Sequence, residues 1–259
     1  MLRGRDMDTV LVTGGTGKLG KHVVSALKAN GAATRAMTRD RFPLRGRVSG
    51  DLSTGRGVME AVRGVDTIVH CATHPRFNKV DVEGTKWLLK AAHGFGVKHI
   101  VYVSIVGIDD HPFPYYQAKR RTERLIEESG IPYTILRATQ FQELVVAVAH
   151  ALTKGPIVPI PKDFRVQPVD IDAVAARLAE LAAGEPAGRV RDIGGPQAVS
   201  LAYAVDAYAS VVDRTRRQVQ IPVPGKVGAA FRAGMNLLGE DGEEVGESFS
   251  HHLVWRVET

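Results

Sequence analysis

Cysteine is almost absent from this sequence, which has one, Cys71, among 259 residues. A single thiol cannot close an internal disulfide and supplies no zinc-binding spacing, so a disulfide scaffold and a cysteine-based zinc site are excluded. No run of about 18 apolar residues is present, which argues against a membrane-spanning helix. Met1–Asp8 is charged and lacks the apolar stretch of a signal peptide, so we expect a cytoplasmic protein.

Internal repeats and low-complexity tracts are also missing, and the excess of positive charge is small. Lys and Arg number 34 against 28 Asp and Glu, which gives a net charge of +6. This excess suits an anionic ligand such as a phosphorylated cofactor. The basic residues occur in short runs and no helix-turn-helix pattern is visible, which argues against direct binding of nucleic acid.

The first half of the chain alternates short apolar runs with longer helical patterns. The predicted strands are Val10–Thr13, Ala33–Thr38, Thr67–Cys71, His99–Ser104 and Tyr133–Leu136. The predicted helices are Lys18–Asn30, a segment through Val82–Ala92 that closes at Gly94 and Gly96, and Tyr115–Ser129. Repeated strand–helix–strand units indicate parallel pairing with right-handed crossovers. We therefore predict an α/β fold with a Rossmann-type doubly wound parallel sheet.

The second half is less regular. Four prolines interrupt Gly155–Val169, so loops and short strands are expected there. The other elements predicted in this half are helices at Asp170–Ala183, Leu201–Val212 and Val227–Leu238, a late strand at Val190–Ile193 and a mobile acidic segment at Gly239–Glu247.

Residues 10–20, VLVTGGTGKLG, carry the strongest functional signal, a glycine triplet between an apolar strand and a helix start. The first glycine permits a tight turn, the second lets the backbone approach a pyrophosphate, and the third allows close packing of the helix. Free N–H groups and the helix dipole then favour a diphosphate. The residues predicted to hold a dinucleotide here are Gly14, Thr16, Gly17, Lys18, Leu19 and Gly20. The alternative is a structural turn in a protein that has lost its cofactor.

The end of the second strand predicts which dinucleotide binds. Sites that prefer NAD usually place a carboxylate there to hold the ribose 2′-hydroxyl. This strand ends without an acid, and Arg39 follows it directly. Because arginine can pair with a 2′-phosphate through two hydrogen bonds, NADP(H) is favoured over NAD(H). Asp40 is the main argument against NADP(H), since its carboxylate can reach the ribose, as in a site for NAD(H), if the strand ends one residue later.

Two further strand ends are expected to contact the cofactor. The residues predicted there are Asp51, Leu52, Cys71, Ala72 and Thr73. Asp51 can accept a hydrogen bond from the adenine amino group beside the backbone of Leu52, although a turn Asp or helix cap is the alternative. The small residues after the fourth strand let the cofactor pass between backbone segments. His70 has no partner at metal-ligand spacing, so we expect a buried, hydrogen-bonded histidine and no metal site.

Four further segments complete a recognisable pattern: DVEGT at 81–85, YVSIVG at 102–107, PYYQAK at 114–119 and SGIPYTILR at 129–137. With the glycine turn and Asp51-Leu52, they resemble the short-chain dehydrogenase/reductase superfamily over about residues 8–200, most nearly its atypical NmrA-like branch. The resemblance implies a Rossmann core, NAD(P) binding and a fold suited to hydride transfer. We therefore expect residues 1–259 to form one NAD(P)-binding Rossmann domain. Residues from about 138 to 169 and 195 to 259 are expected to form a small C-terminal substrate lobe.

The resemblance also implies a catalytic pair, a Tyr and a Lys four residues later, which selects Tyr115 and Lys119. On a helix this spacing puts both on one face. Tyr can supply the proton that a carbonyl needs when it accepts hydride, and a nearby ammonium lowers the pKa of a phenol from about 10. The Lys of the family also holds the nicotinamide ribose. Tyr116 competes with Tyr115 for this role.

The family adds a serine after the fifth strand to polarise the substrate carbonyl, and Ser104 is the candidate. In many active members this serine lies a residue or two further on, where the chain has Ile105 and Val106. Ser104 then contacts only the cofactor or the backbone.

The substrate side is expected to comprise residues 138–141 and the Pro-rich loop to Val169, with Phe113 or Phe164 as further contacts. Gln140 and Phe141 follow the sixth strand and are predicted to face the nicotinamide. Their uncharged character favours a small, flat or hydrophobic substrate such as a quinone or an enone.

Two functions remain open from the sequence. One is an NADP(H)-dependent oxidoreductase that transfers hydride to a small carbonyl, quinone or enone. The other is a non-catalytic NADP(H) sensor of the NmrA-like type, which passes the redox state to a protein partner. The pair Tyr115 and Lys119 favours the enzyme, because a sensor does not need it. An epimerase or dehydratase on nucleotide sugars is expected to need a larger C-terminal lobe.

Overall fold

The computed structural model describes residues 9–214 and 216–256. Residues 1–8, on which the expected lack of a signal peptide rests, lie outside this range. The described residues divide into two compact units. The first unit contains residues 9–104, 118–136 and 175–190, and the second contains 105–117, 137–174 and the described residues from 191 to 256.

The elements are numbered in chain order. The strands are β1 (Thr9–Thr13), β2 (Ala33–Thr38), β3 (Arg47–Ser49), β4 (Thr67–His70), β5 (His99–Ile105), β6 (Tyr133–Ala138), β7 (Ile157–Pro161), β8 (Arg165–Val166), β9 (Gly188–Arg189), β10 (Ile193–Gly194), β11 (Val199–Ser200), β12 (Arg217–Ile221) and β13 (Glu243–Glu244). The helices are α1 (Lys18–Ala29), α2 (Val58–Val62), α3 (Gly84–Gly94), α4 (Pro114–Glu127), α5 (Gln142–Leu152), α6 (Ile171–Ala183), α7 (Leu201–Val211), α8 (Gly225–Arg232) and α9 (Phe249–Arg256). A π-helical segment, Asn78–Glu83, leads directly into α3.

The first unit is built on a parallel sheet in the order β6-β5-β4-β1-β2-β3. Strand β1 lies at its centre, where Val12 pairs with Ala36 of β2 and with Val69 of β4. The central strands are buried along almost their whole length, as expected when both faces of a parallel sheet are covered. The predicted Rossmann-type sheet is confirmed. Because parallel strands end at one edge, the segments after β1, β2 and β4 lie close together.

The second unit has its own apolar core, formed by α5, α7, α9 and β7. Its buried members include Val145, Val158, Val205, Tyr208 and Phe249. Strand β12 pairs in parallel with β7, and β11 pairs antiparallel with β8. None of the helices within the described ranges is long and apolar enough to cross a membrane.

Several predicted elements of the second half are corrected by the structure. The predicted strand at 190–193 is replaced by two short strands, β9 before it and β10 at its end. The helix predicted to reach Leu238 ends at Arg232, and Gly234 adopts a left-handed φ of 73° just beyond it. The segment predicted to be mobile contains β13, whose Glu243 N–H donates to the Asp192 carbonyl at 2.9 Å. Backbone pairing therefore orders a stretch that its composition marks as loop.

Candidate cofactor and active site

The glycine turn after β1 is closed by contacts that exclude side chains. Gly14 has a φ of 64°, and a Cβ there would lie 2.8 Å from the Cα of Ala72. The N–H of Gly17 donates to the Gly14 carbonyl oxygen at 2.8 Å. A Cβ on Gly20 would lie only 2.1 Å from that same oxygen. The third glycine is therefore required by the turn itself, and the turn abuts the segment that follows β4.

The first turn of α1 leaves its N–H groups available. Gly17 is the N-cap residue and has no side chain to accept from them, and the first turn contains no acidic residue. Thr16, Gly17 and Lys18 are exposed, whereas Leu19 is buried against the core. An uncapped helix start with positive dipole charge and a neighbouring lysine fits a diphosphate.

The ends of β2 and β3 bring Arg39 near Asp51. Burial raises the pKa of the Asp51 carboxyl, but hydrogen bonds from Ser53 and Thr54 and the charge of Arg39 outweigh it, so the pKa lies below its ordinary value. Asp51 Oδ1 accepts from the Ser53 N–H at 2.9 Å and from its hydroxyl at 2.7 Å. An aspartate that accepts hydrogen bonds from the residue two positions later is typical of a turn, which was the alternative role for Asp51. The contact of Asp51 with adenine stays a prediction.

Arg39 and Asp40 are both exposed at the end of β2. The carboxylate of Asp40 turns back onto the strand, where its Oδ2 accepts from the Thr38 hydroxyl at 3.0 Å. The Asp40 N–H also donates to that hydroxyl, at 3.2 Å. Within the described residues, the Arg39 side chain makes no comparable hydrogen bond to a neighbouring residue.

The segment after β4 is small and partly open, as the sequence predicts. Cys71 and Ala72 are half-buried and Thr73 is exposed. The Ala72 N–H donates to the Thr13 hydroxyl at 3.3 Å, which ties this segment to the end of β1. Burial raises the pKa of the Cys71 thiol to about 12, although the charge of Lys119 opposes the shift. Cys71 is thus a neutral thiol rather than a nucleophile.

His70 is the buried, hydrogen-bonded histidine that the sequence predicts. Its ring is fully buried, with Nδ1 2.6 Å from the Thr13 hydroxyl and Nε2 2.9 Å from the Thr85 hydroxyl. Burial, assisted by the charge of Lys119, lowers its pKa to about 3. The residue therefore remains neutral at every pH at which the protein is expected to work.

This shift predicts that stability falls as the pH drops from about 6.5 toward 3. In that window the unfolded chain binds a proton at His70 while the folded chain does not, so acid favours unfolding by about 1.4 kcal/mol per pH unit from this group alone. Urea unfolding at pH 7, 6 and 5, above the range of most carboxylates, measures the slope. The variant His70→Gln should show a shallower slope, and a slope equal to that of the wild type would contradict the assignment.

Lys119 is a buried cation held in a defined position. Lys119 is only 4% exposed, and its Nζ donates to the Val103 carbonyl oxygen at 2.9 Å. The same Nζ lies 4.3 Å from the centre of the Tyr102 ring, a cation–π distance. Ser104, at the end of β5, is 1% exposed, and its hydroxyl has no hydrogen-bond partner among the described residues.

Asp81, in the sequence motif at 81–85, is a further candidate site residue. It is 1% exposed, and its Oδ1 has no hydrogen-bond partner within the described ranges. Burial raises the pKa of this carboxyl, and the charge of Lys119 and hydrogen bonds from Thr73 and His74 oppose the rise. Its main-chain oxygen accepts from the Thr122 hydroxyl of α4 at 3.0 Å. The acid at position 81 was the only sequence signal for it.

The two candidate tyrosines lie in the second unit at the start of α4 and differ in environment. Tyr115 is half-buried, whereas Tyr116 is 7% exposed. Burial raises the pKa of Tyr116 to about 12, although its hydrogen bond with the Gln140 side chain opposes the rise. A buried phenol with a raised pKa is a poor proton donor at neutral pH, and the catalytic role of Tyr115 stays a prediction.

The predicted substrate residues Gln140 and Phe141 follow β6, also in the second unit. The Gln140 side chain bridges two segments: its Nε2 donates to the Asn236 carbonyl at 2.7 Å, and its Oε1 accepts from the Gln167 N–H at 3.0 Å. Phe141 is half-buried, is the N-cap residue of α5 and bridges to Val169. Gln140 therefore has a structural role, and substrate contact by either residue stays a prediction.

Two known reductases are similar to this chain over most of its length. It is 26% identical over 224 residues to (4-alkanoyl-5-oxo-2,5-dihydrofuran-3-yl)methyl phosphate reductase of Streptomyces griseus, a match covering 83% of this chain and 77% of that protein. It is 26% identical over 205 residues to quinone oxidoreductase 2 of Escherichia coli, covering 74% and 70%.

Solved structures show the same fold. The structure of the NADPH-dependent quinone oxidoreductase of Escherichia coli with NADPH superposes with a TM-score of 0.77 at 18% identity, covering 95% of this chain and 98% of that one. A family model described as NAD(P)H-binding matches residues 14–183, more than half of the chain. The match confirms the predicted NAD(P)-binding character, while the NmrA-like branch stays a prediction. The chain belongs to the NAD(P)H-binding family.

Proposed function

We propose that this protein is an NADP(H)-dependent oxidoreductase that transfers hydride to a small carbonyl, quinone or enone. The observation that carries the proposal is the buried ammonium of Lys119, which α4 holds four residues after Tyr115. Removing a lysine from water is costly, and the Val103 carbonyl and the Tyr102 ring fix this buried ammonium in one position. A pure sensor has no use for this arrangement.

The first unit supports the choice of cofactor. The glycine turn and the first-turn amides of α1 suit the diphosphate. Arg39 suits a 2′-phosphate because its guanidinium is exposed and makes no local hydrogen bond within the part of the chain that the structure describes. The solved Escherichia coli relative is described with NADPH, which supports the same preference here. When bound, the nicotinamide supplies the hydride.

The protein's own residues then handle the proton. Tyr115 donates its hydroxyl proton to the substrate oxygen as that oxygen gains negative charge, and the Lys119 ammonium stabilises the phenolate that remains. The Ser104 hydroxyl, buried and without a partner among the described residues, is suited to donate to the same oxygen. We further propose that Gln140 and Phe141 contact the substrate.

The names of the relatives support the substrate class. One is a reductase of an oxo-dihydrofuran compound, and another is a quinone oxidoreductase. Both names describe compounds with ring carbonyl groups, which agrees with the uncharged residues after β6.

Replacement of Arg39 by Gln is expected to weaken NADPH binding about 10–100-fold, because a charged hydrogen bond of about 1.5–3 kcal/mol is lost. NADH binding should change little, since NADH has no 2′-phosphate. Fluorescence titration of both coenzymes measures the two constants. Arg41→Gln, two residues away on the same exposed loop, is the matched control. Equal weakening of NADH and NADPH by Arg39→Gln would contradict the assignment.

A turnover screen tests the proposed activity. NADPH oxidation is followed at 340 nm with quinones, enones and aldehydes as acceptors. We expect turnover on at least one of these classes. Tight NADPH binding with no oxidation on any acceptor would instead support the non-catalytic sensor.

A further inference from the structure

A cluster of aromatic rings surrounds His111 in the second unit. We call it the His111 cluster, and its members are His111, Phe113, Tyr116 and Phe231. The His111 ring stacks on Tyr116 at a centroid distance of 4.1 Å and meets Phe231 edge-on at 4.6 Å. Phe113 packs edge-on against Tyr116 and Phe231 at 6.1 and 6.2 Å. Apolar ring faces therefore enclose a single imidazole, which is 1% exposed.

The hydrogen bonds of His111 fix its tautomer. Its Nδ1 accepts from the N–H of Phe113 at 3.2 Å. An accepting Nδ1 carries no proton, and burial, which lowers the pKa of the ring, favours the same neutral form. A neutral imidazole that accepts at Nδ1 carries its proton at Nε2. That Nε2 has no hydrogen-bond partner among the described residues.

An N–H donor that is buried without an acceptor destabilises a fold, and such groups in native proteins often mark a functional requirement. Neither the ring stacking on Tyr116 nor the hydrogen bond at Nδ1 involves this donor. The other buried histidines at the sheet, His70 and His99, have hydroxyl partners at 2.6–2.9 Å. His111 is thus the exception that calls for an explanation.

We propose that His111 is a specificity-determining residue, whose Nε2–H donates to an oxygen of a flat conjugated carbonyl ligand such as a quinone. This inference rests on the proposed function and names the group that recognises its substrate class. Aromatic walls suit the faces of such a ligand, and a single donor suits its carbonyl oxygen.

The position of the cluster links it to the candidate proton donor. The rings of Tyr115 and Tyr116 lie 6.4 Å apart, so Tyr116 is a neighbour of both His111 and Tyr115. Ligand access to the buried Nε2 requires a ring to move. Phe113 is the member best placed to do so, since it is 40% exposed.

The test compares ligand binding with stability in His111→Phe. Menadione is the probe, and its Kd for the full-length protein with NADP+ present is measured by calorimetry, alongside the thermal unfolding midpoint. We expect the Kd to rise about 10-fold, because one buried hydrogen bond is lost. The midpoint should change little, because removal of the unpaired Nε2 donor offsets the loss of the Nδ1 acceptor for the Phe113 N–H. The Kd for NADPH should not change. His111→Gln, which keeps an N–H donor, should recover part of the menadione affinity.

His99→Phe is the matched control, because His99 is buried like His111 but its Nε2 lies 2.8 Å from the Thr134 hydroxyl. This variant should lower the unfolding midpoint and leave the menadione Kd unchanged. His111→Phe behaving like His99→Phe would overturn the proposal, and so would wild-type protein that does not bind menadione. Failure of both His111→Phe and His111→Leu to fold would also overturn it, since the proposal predicts that these variants lose only the single hydrogen bond at Nδ1. Menadione binding that depends on His111 without any turnover would instead leave this inference standing and reject the proposed activity.

Discussion

Replacing Tyr115 with Phe is expected to lower kcat for NADPH oxidation by about 10²–10⁴-fold, the usual contribution of a positioned proton donor. The substitution removes one hydroxyl and keeps the ring, so the half-buried packing at the start of α4 is retained. NADPH binding should not change, because the proposed cofactor contacts lie elsewhere. Stopped-flow measurement of a single turnover separates the chemical step from product release, and the loss should appear in the chemical step.

Tyr116→Phe tests the alternative donor. Burial raises the pKa of Tyr116 to about 12, despite its hydrogen bond with Gln140, and the raised pKa opposes proton delivery. We therefore expect a much smaller loss of kcat than in Tyr115→Phe. A loss in Tyr116→Phe that equals or exceeds the loss in Tyr115→Phe would contradict this assignment and identify Tyr116 as the proton donor.

Replacing Gly20 with Ala is expected to weaken NADPH binding about 10–100-fold, because the added Cβ forces the turn away from its position. That Cβ would lie 2.1 Å from the Gly14 carbonyl oxygen and 2.8 Å from the Gly15 Cα, both backbone atoms. A shift of the turn removes hydrogen bonds from amides to a charged diphosphate, which are worth about 1.5–3 kcal/mol each. Overpacking should also lower stability by about 1–3 kcal/mol.

The control for this variant is Gly94→Ala, at the exposed end of α3. A Cβ there would have only the Met59 Cε nearby, at 3.9 Å, which is ordinary contact. Alanine is a better helix former than glycine by about 1 kcal/mol, so this change should stabilise the protein slightly and leave NADPH binding alone. Unchanged NADPH affinity in Gly20→Ala would contradict the geometry of the turn.

The elements predicted well from the sequence are those with strong local signals. Ala33–Thr38 is found at the predicted bounds, and α1 begins at the predicted Lys18 and ends at Ala29, one residue before the predicted Asn30. Gly31, with a φ of 81°, supplies the stop that the sequence indicates. Apolar strands, glycine punctuation and helical spacing agree in this half, so local and global preferences point to one fold.

The second unit was harder to predict because tertiary packing decides its elements. The apolar stretch at 144–152 is too short for a membrane span and carries no predicted helix, yet it forms most of α5 in the unit's core. Strand β12 and helix α9 carried no local signal that distinguished them from loop. Short elements of this kind gain their stability from the partners they pack on.

Some residues of the candidate site could also be predicted from the sequence, and others could not. The glycine turn and the buried His70 could be read from spacing, since their roles follow from backbone geometry and from the lack of metal-ligand neighbours. Asp81 and His111 could not, because what marks them is a buried polar atom without a partner. That property depends on which side chains the fold brings around the group, and a single sequence does not contain it.

The claim on which the rest depends is that the first-turn amides of α1 bind the coenzyme diphosphate. Titration of ¹⁵N-labelled protein with NADPH tests it directly through the backbone amide resonances of Gly17, Lys18 and Leu19. We predict that these resonances are among those that shift most. Saturable NADPH binding that leaves all three unmoved, or no binding of either nicotinamide coenzyme, would contradict the account.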